Sequence, residues 1–237
     1  MKKYEILNAV DNLEQRKAKY PPVSRLLRDV YGELIWKPGQ DAMDELISCI
    51  LSQSTTDANR DRGFHALKTH FADWQAVVDA PVDEVIETIR PAGLANQKGP
   101  RIQNALRRIQ MERGEFNIDF LRDLPLDEAK DWLTSIDGVG PKTAAIVLCF
   151  AFGLDAFPVD THIHRVSKRI GFIPESMNAD KAHVVMEAIV PPDAYYSFHL
   201  QLIFHGRETC QARTPHCGRC VLQAHCDYYQ QVVLKDA

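Results

Sequence analysis

The chain has 237 residues, 45% of them hydrophobic and 25% charged, with a formal net charge of −4. That length can bury a large core in one domain or two, and the balance excludes a disordered chain. An acidic total also argues, taken alone, against a protein that grips nucleic acid through a basic excess. The N-terminal stretch carries Glu5 and Asp11 where a secretory leader needs an unbroken apolar run. The longest apolar run, residues 144–154, contains Gly153 and is too short to cross a bilayer. The expectation is an intracellular, cytoplasmic protein without a membrane span.

Apolar residues recur every three to four positions along nearly the whole chain, and no run alternates strictly, so the pattern predicts an all-α fold. In chain order, helices are expected over residues 4–17, 22–31, 42–51, 57–70, 82–89, 100–112, 126–136, 142–152, 161–170, 179–189 and 194–204. Pro21, Pro81, Pro91, Gly114, Pro125, Pro141, Gly171 and Pro191 fall between them. Acidic residues crowd 79–87 and 123–131, whereas Lys98, Arg101, Arg107 and Arg108 share one helix and Arg207, Arg213 and Arg219 surround the first of the C-terminal cysteines. On charge alone these are solvated faces.

Residues 133–148, LTSIDGVGPKTAAIVL, read as two apolar helices joined by a tight turn, with Pro141 opening the second. Gly138 and Gly140, flanking Val139, let the turn present its amides, and amides at a helix N-terminus bind phosphate without net positive charge. The alternative is a plain helix connection in which glycine only permits close packing. Lys142 follows at once. A cation is disfavoured at the positive end of a helix dipole, which favours a neutral, nucleophilic amine; the alternative is a surface lysine acting on phosphate as a point charge.

Asp160 lies in VDTHIHRV at the start of the next expected helix, where it can cap that helix and also stabilise a developing cation. His162 and His164 point in different directions from one helix, so a shared ion is not expected, and Arg165 is a candidate phosphate contact. Cys210, Cys217, Cys220 and Cys226 then follow as C-x6-C-x2-C-x5-C. Four thiols this close indicate a metal centre, with zinc and iron-sulfur as candidates. A lone CxxC, rather than the paired knuckles of a zinc ribbon, favours a [4Fe-4S] cluster. Cys49 and Cys149 read as buried apolar residues.

Taken together, GVGPKTA, VDTHIHRV and the cysteine loop, in this order and at these separations, resemble the endonuclease III family of DNA glycosylases. The resemblance implies two helical domains flanking a DNA-binding cleft. One is a six-helix domain with the helix-hairpin-helix over residues 43–154; the other joins residues 1–42 to 155–237 and carries the cluster loop. It implies Lys142 as nucleophile, Asp160 as its catalytic partner, the four cysteines as ligands of a [4Fe-4S] cluster, and a loop with Arg213 and His216 against DNA phosphate. Residues 51–57, LSQSTTD, resemble the family's LSxQxTD segment, whose glutamine fills the gap left by an extruded base. Here Ser54 occupies that column and Gln53 stands one place early. Residues 93–98, GLANQK, resemble the loop that supplies a wedge, which makes Leu94 the wedge and Lys98 a DNA contact.

The implied function is a bifunctional glycosylase and abasic-site (AP) lyase of base excision repair, acting as a monomer on double-stranded DNA with damaged bases, oxidised pyrimidines first among them. A monofunctional adenine or thymine mismatch glycosylase would lack the hairpin lysine. A non-catalytic iron-sulfur module would have no use for Lys142 and Asp160 together, and a zinc-stabilised DNA-binding protein would be colourless.

Overall fold

The computed structural model describes residues 3–38 and 41–235, and among the described residues the regular structure is helical, without a strand. The helices are α1 (Lys3–Asn8), α2 (Leu13–Ala18), α3 (Tyr20–Tyr31), α4 (Ala42–Leu51), α5 (Asp57–His70), α6 (Trp74–Asp79), α7 (Val82–Thr88), α8 (Ala95–Arg113), α9 (Leu126–Thr134), α10 (Pro141–Ile146), α11 (Thr161–Ile170), α12 (Ala179–Ile189) and α13 (Tyr195–Glu208). No described helix is long and apolar enough to cross a membrane. The chain divides into two compact units, one of residues 38–154 and one joining residues up to 37 with those from 155 onward. A seam at residue 42 would have cut α4 from its own N-cap, Asp41, whose carboxylate accepts from the Asp44 N–H at 2.9 Å.

In the 38–154 unit, Leu46, Ile47, Ile50 and Leu51 make α4 a fully buried spine, packed against α5, α8 and α10. The expected helix over residues 100–112 begins earlier, at Ala95. Pro100 therefore sits inside α8, where it forfeits one i→i−4 bond instead of opening the helix. The short α6 escaped the periodicity reading; Asp73 caps it by accepting from the Ala76 N–H at 2.8 Å. The expected helix over residues 142–152 is α10, opened by Pro141, followed by a wider turn of π geometry over Val147–Ala151.

In the other unit the single helix expected over residues 4–17 is two, broken where Asn12 takes a left-handed backbone (φ 57°). Phe157, Phe172 and Phe198 fill the core, with Tyr20 edge-on to Phe198 at 5.1 Å. Helix α13 packs on α11 and α3, and α1 packs on α12. The C-terminal carbonyls of α11 are held from α2 and its end: Lys19 donates to Ile170 O and Arg16 to Gly171 O, both at 2.7 Å. Gly171 takes φ 93°, a backbone that disfavours any side chain, and a Cβ there would also displace the Asp227 carboxylate.

Candidate active site and cysteine loop

The glycine turn stands between α9 and α10. Gly138 takes φ 80°, and the turn closes through the Val139 N–H on Ile136 O at 3.0 Å. Val139 is 4% exposed and its amide is taken within the turn, so it contributes packing and not the expected phosphate contact. Gly140 is the N-cap of α10, and no side chain caps that N-terminus, an arrangement in which backbone amides can bind an anion. Lys142, half-buried, is the second residue of that helix, followed by buried Thr143, Ala144 and Ala145. The buried thiol of Cys49 on α4 is pushed up by burial first and then by Glu45, to whose Oε1 it donates at 3.5 Å, with the Lys142 charge opposing. Burial drives the Glu45 carboxyl above its ordinary range.

Four more expected contacts lie in this unit. Gln53 is tied down: its amide donates to Gly138 O at 2.7 Å, and Arg101 approaches its Oε1 at 3.5 Å. Ser54, by contrast, is exposed, with φ 52°. Leu94 is 49% exposed, with φ 49°, an apolar side chain held out at the start of α8. Lys98 overturns its expected role as a DNA contact. It is 1% exposed, and its Nζ donates to Leu51 O at 2.7 Å and Ala92 O at 2.8 Å, with burial pulling its amine below the ordinary range. A charged head fixed on two interior carbonyls cannot reach phosphate.

In the other unit, Asp160 is half-buried and caps α11, its Oδ1 accepting from the Ile163 N–H at 2.7 Å. Arg165 also departs from expectation. Its guanidinium donates to Cys210 O at 3.1 Å and Gly206 O at 2.8 Å, and NH2 meets His162 Nδ1 at 3.2 Å, so it anchors the end of α13 and the first cysteine. Arg213 and His216 are exposed on the cysteine loop.

Cys210, Cys217, Cys220 and Cys226 line one cavity with Arg169 and His205. Among the described residues, no three His, Cys, Asp or Glu side chains gather as they would around a single ion. The surrounding groups suit thiolates. Arg169 donates to Cys210 Sγ at 3.4 Å, the Leu222 N–H points to Cys220 Sγ at 3.4 Å, and His205 Nε2 lies 3.6 Å from that sulfur. Burial lowers His205 to about 4, so its ring is neutral at pH 7. The Cys220 thiol is pushed up to about 11, by burial first and then by the other three thiols; without compensating positive charge these sulfurs resist ionising together. Burial likewise raises Cys217 and Cys226. A cationic centre ligated by all four fits this donor set. Sequence reasoning missed Arg169, which has no local signal because its partners lie about forty residues downstream.

The helix-hairpin-helix and the cysteine loop define the class, and comparison with known proteins places it. Residues 47–192 match the model of the HhH-GPD superfamily of base excision DNA repair proteins. Endonuclease III of Sulfolobus acidocaldarius is 33% identical over 186 residues, 78% of this chain and 81% of that protein. A candidate DNA glycosylase of Arabidopsis thaliana is 36% identical over 168 residues, 71% of this chain; it is longer, and the match spans 57% of it. A solved trapped covalent intermediate of an endonuclease III with DNA superposes with a TM-score of 0.72 at 28% identity, covering 97% of this chain and 98% of that one. The chain belongs to the HhH-GPD superfamily of base excision DNA repair proteins and, within it, to the endonuclease III family of DNA glycosylases.

Proposed function

We propose that the chain is a bifunctional DNA glycosylase and AP lyase of base excision repair, acting as a monomer on double-stranded DNA, with oxidised pyrimidines as its first class of lesion. The observation that carries this reading is Lys142, a half-buried primary amine in the first turn of an uncapped helix directly after a glycine hairpin. The covalent DNA intermediate of the similar endonuclease III supports the same chemistry here.

The base must first leave the stack, at a cost of a few kcal/mol that is smaller at damaged pairs. Leu94 enters as the wedge, exposed Ser54 occupies the vacated space, and the α10 N-terminus and Arg213 hold phosphate. Lys142 Nζ attacks the sugar C1′. The glycosidic bond breaks, its electron pair leaves with the base, and the base takes up a proton. The ring then opens, O4′ taking its bonding pair and a proton, and a Schiff base forms. Loss of a C2′ proton expels the 3′ phosphate, and water hydrolyses the imine to free Lys142. Asp160 stabilises positive charge on the sugar and relays these protons.

Cys210, Cys217, Cys220 and Cys226, which line one cavity, would hold a [4Fe-4S] cluster. Ligation by these four residues would tie down the loop that carries Arg213 and His216. Borohydride added during reaction with an abasic-site duplex tests the reading. Wild type should be trapped on DNA and Lys142→Ala should not; absence of trapping in wild type on every lesion would favour a monofunctional enzyme or a binding module.

A further inference from the structure

Among the described residues of 38–154, the two non-glycine residues with a left-handed backbone are Ser54 (φ 52°) and Leu94 (φ 49°). Side chains with a Cβ resist this conformation, and it persists only where the surroundings enforce it. Both residues stand just past the end of a helical segment. Ser54 lies three positions beyond Leu51, the last residue of α4, and Leu94 two beyond Ala92, the last residue of the 3-10 turn Arg90–Ala92.

One donor holds both ends. Lys98 Nζ donates to Leu51 O at 2.7 Å and to Ala92 O at 2.8 Å, from a side chain 1% exposed. Carbonyls at helix C-termini carry partial negative charge and lack an intrahelical partner, so a buried amine shared between two of them satisfies both while meeting no acidic group. The loops also lie side by side: a Cβ placed on Gly93 would sit 3.9 Å from Thr55 Oγ1.

We infer that Lys98 is a positioning residue that ties the 52–56 loop and the 93–94 loop into one rigid device, so that Ser54 and Leu94 enter a duplex as a unit. This rests on the proposed reading in which those loops address DNA. Methionine at 98 fills the same volume and cannot donate. Two buried carbonyls would lose their partner and each loop would relax separately.

The test uses the full-length protein with its metal centre and a duplex holding an uncleavable tetrahydrofuran site opposite 2-aminopurine, whose fluorescence reports unstacking. With Lys98→Met the fluorescence gain on binding should collapse. The ratio of borohydride trapping on duplex to trapping on single-stranded abasic DNA, which needs no opening, should fall roughly tenfold, the scale of a lost buried hydrogen bond. Leu94→Ala should lower the ratio in wild type and add little in the Lys98→Met background. A proportional fall on both substrates, an unchanged fluorescence gain, or additive losses would overturn the inference. If Lys98→Met does not fold, Lys98→Gln, whose amide keeps a donor on a shorter stem, should show the same selective loss in smaller degree, and proportional losses there overturn it equally. Wild type that traps on neither substrate would sink the proposed function; wild type that traps on both, with Lys98→Met matching it, would sink this inference alone.

Discussion

The side-chain amide of Gln53 donates to the backbone carbonyl of Gly138 at 2.7 Å, which joins the loop after α4 to the turn between α9 and α10. Arg101 packs beneath the same turn, where a Cβ on Gly138 would come within 2.8 Å of its Cδ. Gln53→Ala should cost about 1 kcal/mol in denaturant unfolding, since a part-buried carbonyl loses its donor. Duplex affinity should fall with it. Ser54→Ala, at an exposed site, should stay within about 0.5 kcal/mol of wild type. Equal stability of the two variants would show that the tie is idle.

Asp160 caps α11, and that role must be separated from chemistry. Asparagine caps a helix about as well, so Asp160→Asn should unfold at nearly the wild-type denaturant concentration. Base release in single-turnover assays should nevertheless slow by roughly 10²-fold while duplex binding persists. Near-normal turnover would confine Asp160 to capping.

Arg165 and Arg213 look alike in sequence and should behave oppositely. Arg165→Met removes donors from Gly206 O and Cys210 O, so it should destabilise the protein by about 2 kcal/mol and loosen the cysteine loop, without altering the salt dependence of DNA binding. Arg213→Ala should leave stability unchanged and lower the slope of log affinity against log salt by about one. A reduced slope in the folded Arg165 variant would mean that its guanidinium does reach phosphate.

Glu45 has its carboxyl raised, by burial first, with Arg60 and the Cys49 hydrogen bond opposing. Between the ordinary carboxylate range and that raised value, the folded chain holds a proton that the unfolded chain has released. Stability therefore falls as pH rises through this window. Glu45→Gln should melt higher than wild type at neutral pH and lose that part of the pH dependence; a lower melting point at pH 7 would mean that the ionised carboxylate stabilises the fold.

The cysteine loop makes a chemical prediction. Protein purified under low oxygen should be brown and contain iron and sulfide in preference to zinc, and Cys217→Ser should lose the colour together with much of its soluble yield. A colourless, zinc-loaded protein of full stability would replace the cluster with a mononuclear site.

Much of the fold was legible because its signals are local. Helices α4, α5, α11 and α12 fall on their expected residues, where apolar spacing and the residues flanking each end agree. Pro100 misled, because proline opens helices more often than it sits within them, and the bonds of Lys98 that bind the first turn of α8 to its surroundings are not local. Asn12 broke a helix that the periodicity carried through, since a single left-handed residue leaves the apolar rhythm on either side intact.

By itself the sequence determined the all-α class, the glycine hairpin followed by Lys142, the capping position of Asp160 and the four cysteines, because each depends on spacing within a few residues along the chain. Only the tertiary structure decided what the long polar side chains do. Lys98 and Arg165 were both assigned to DNA by composition and resemblance, and each instead holds interior carbonyls, while Gln53 holds the half-buried carbonyl of Gly138. A flexible stem lets such a head group go to solvent or inward with equal ease, and the choice falls to whichever unsatisfied carbonyl the packing brings within reach.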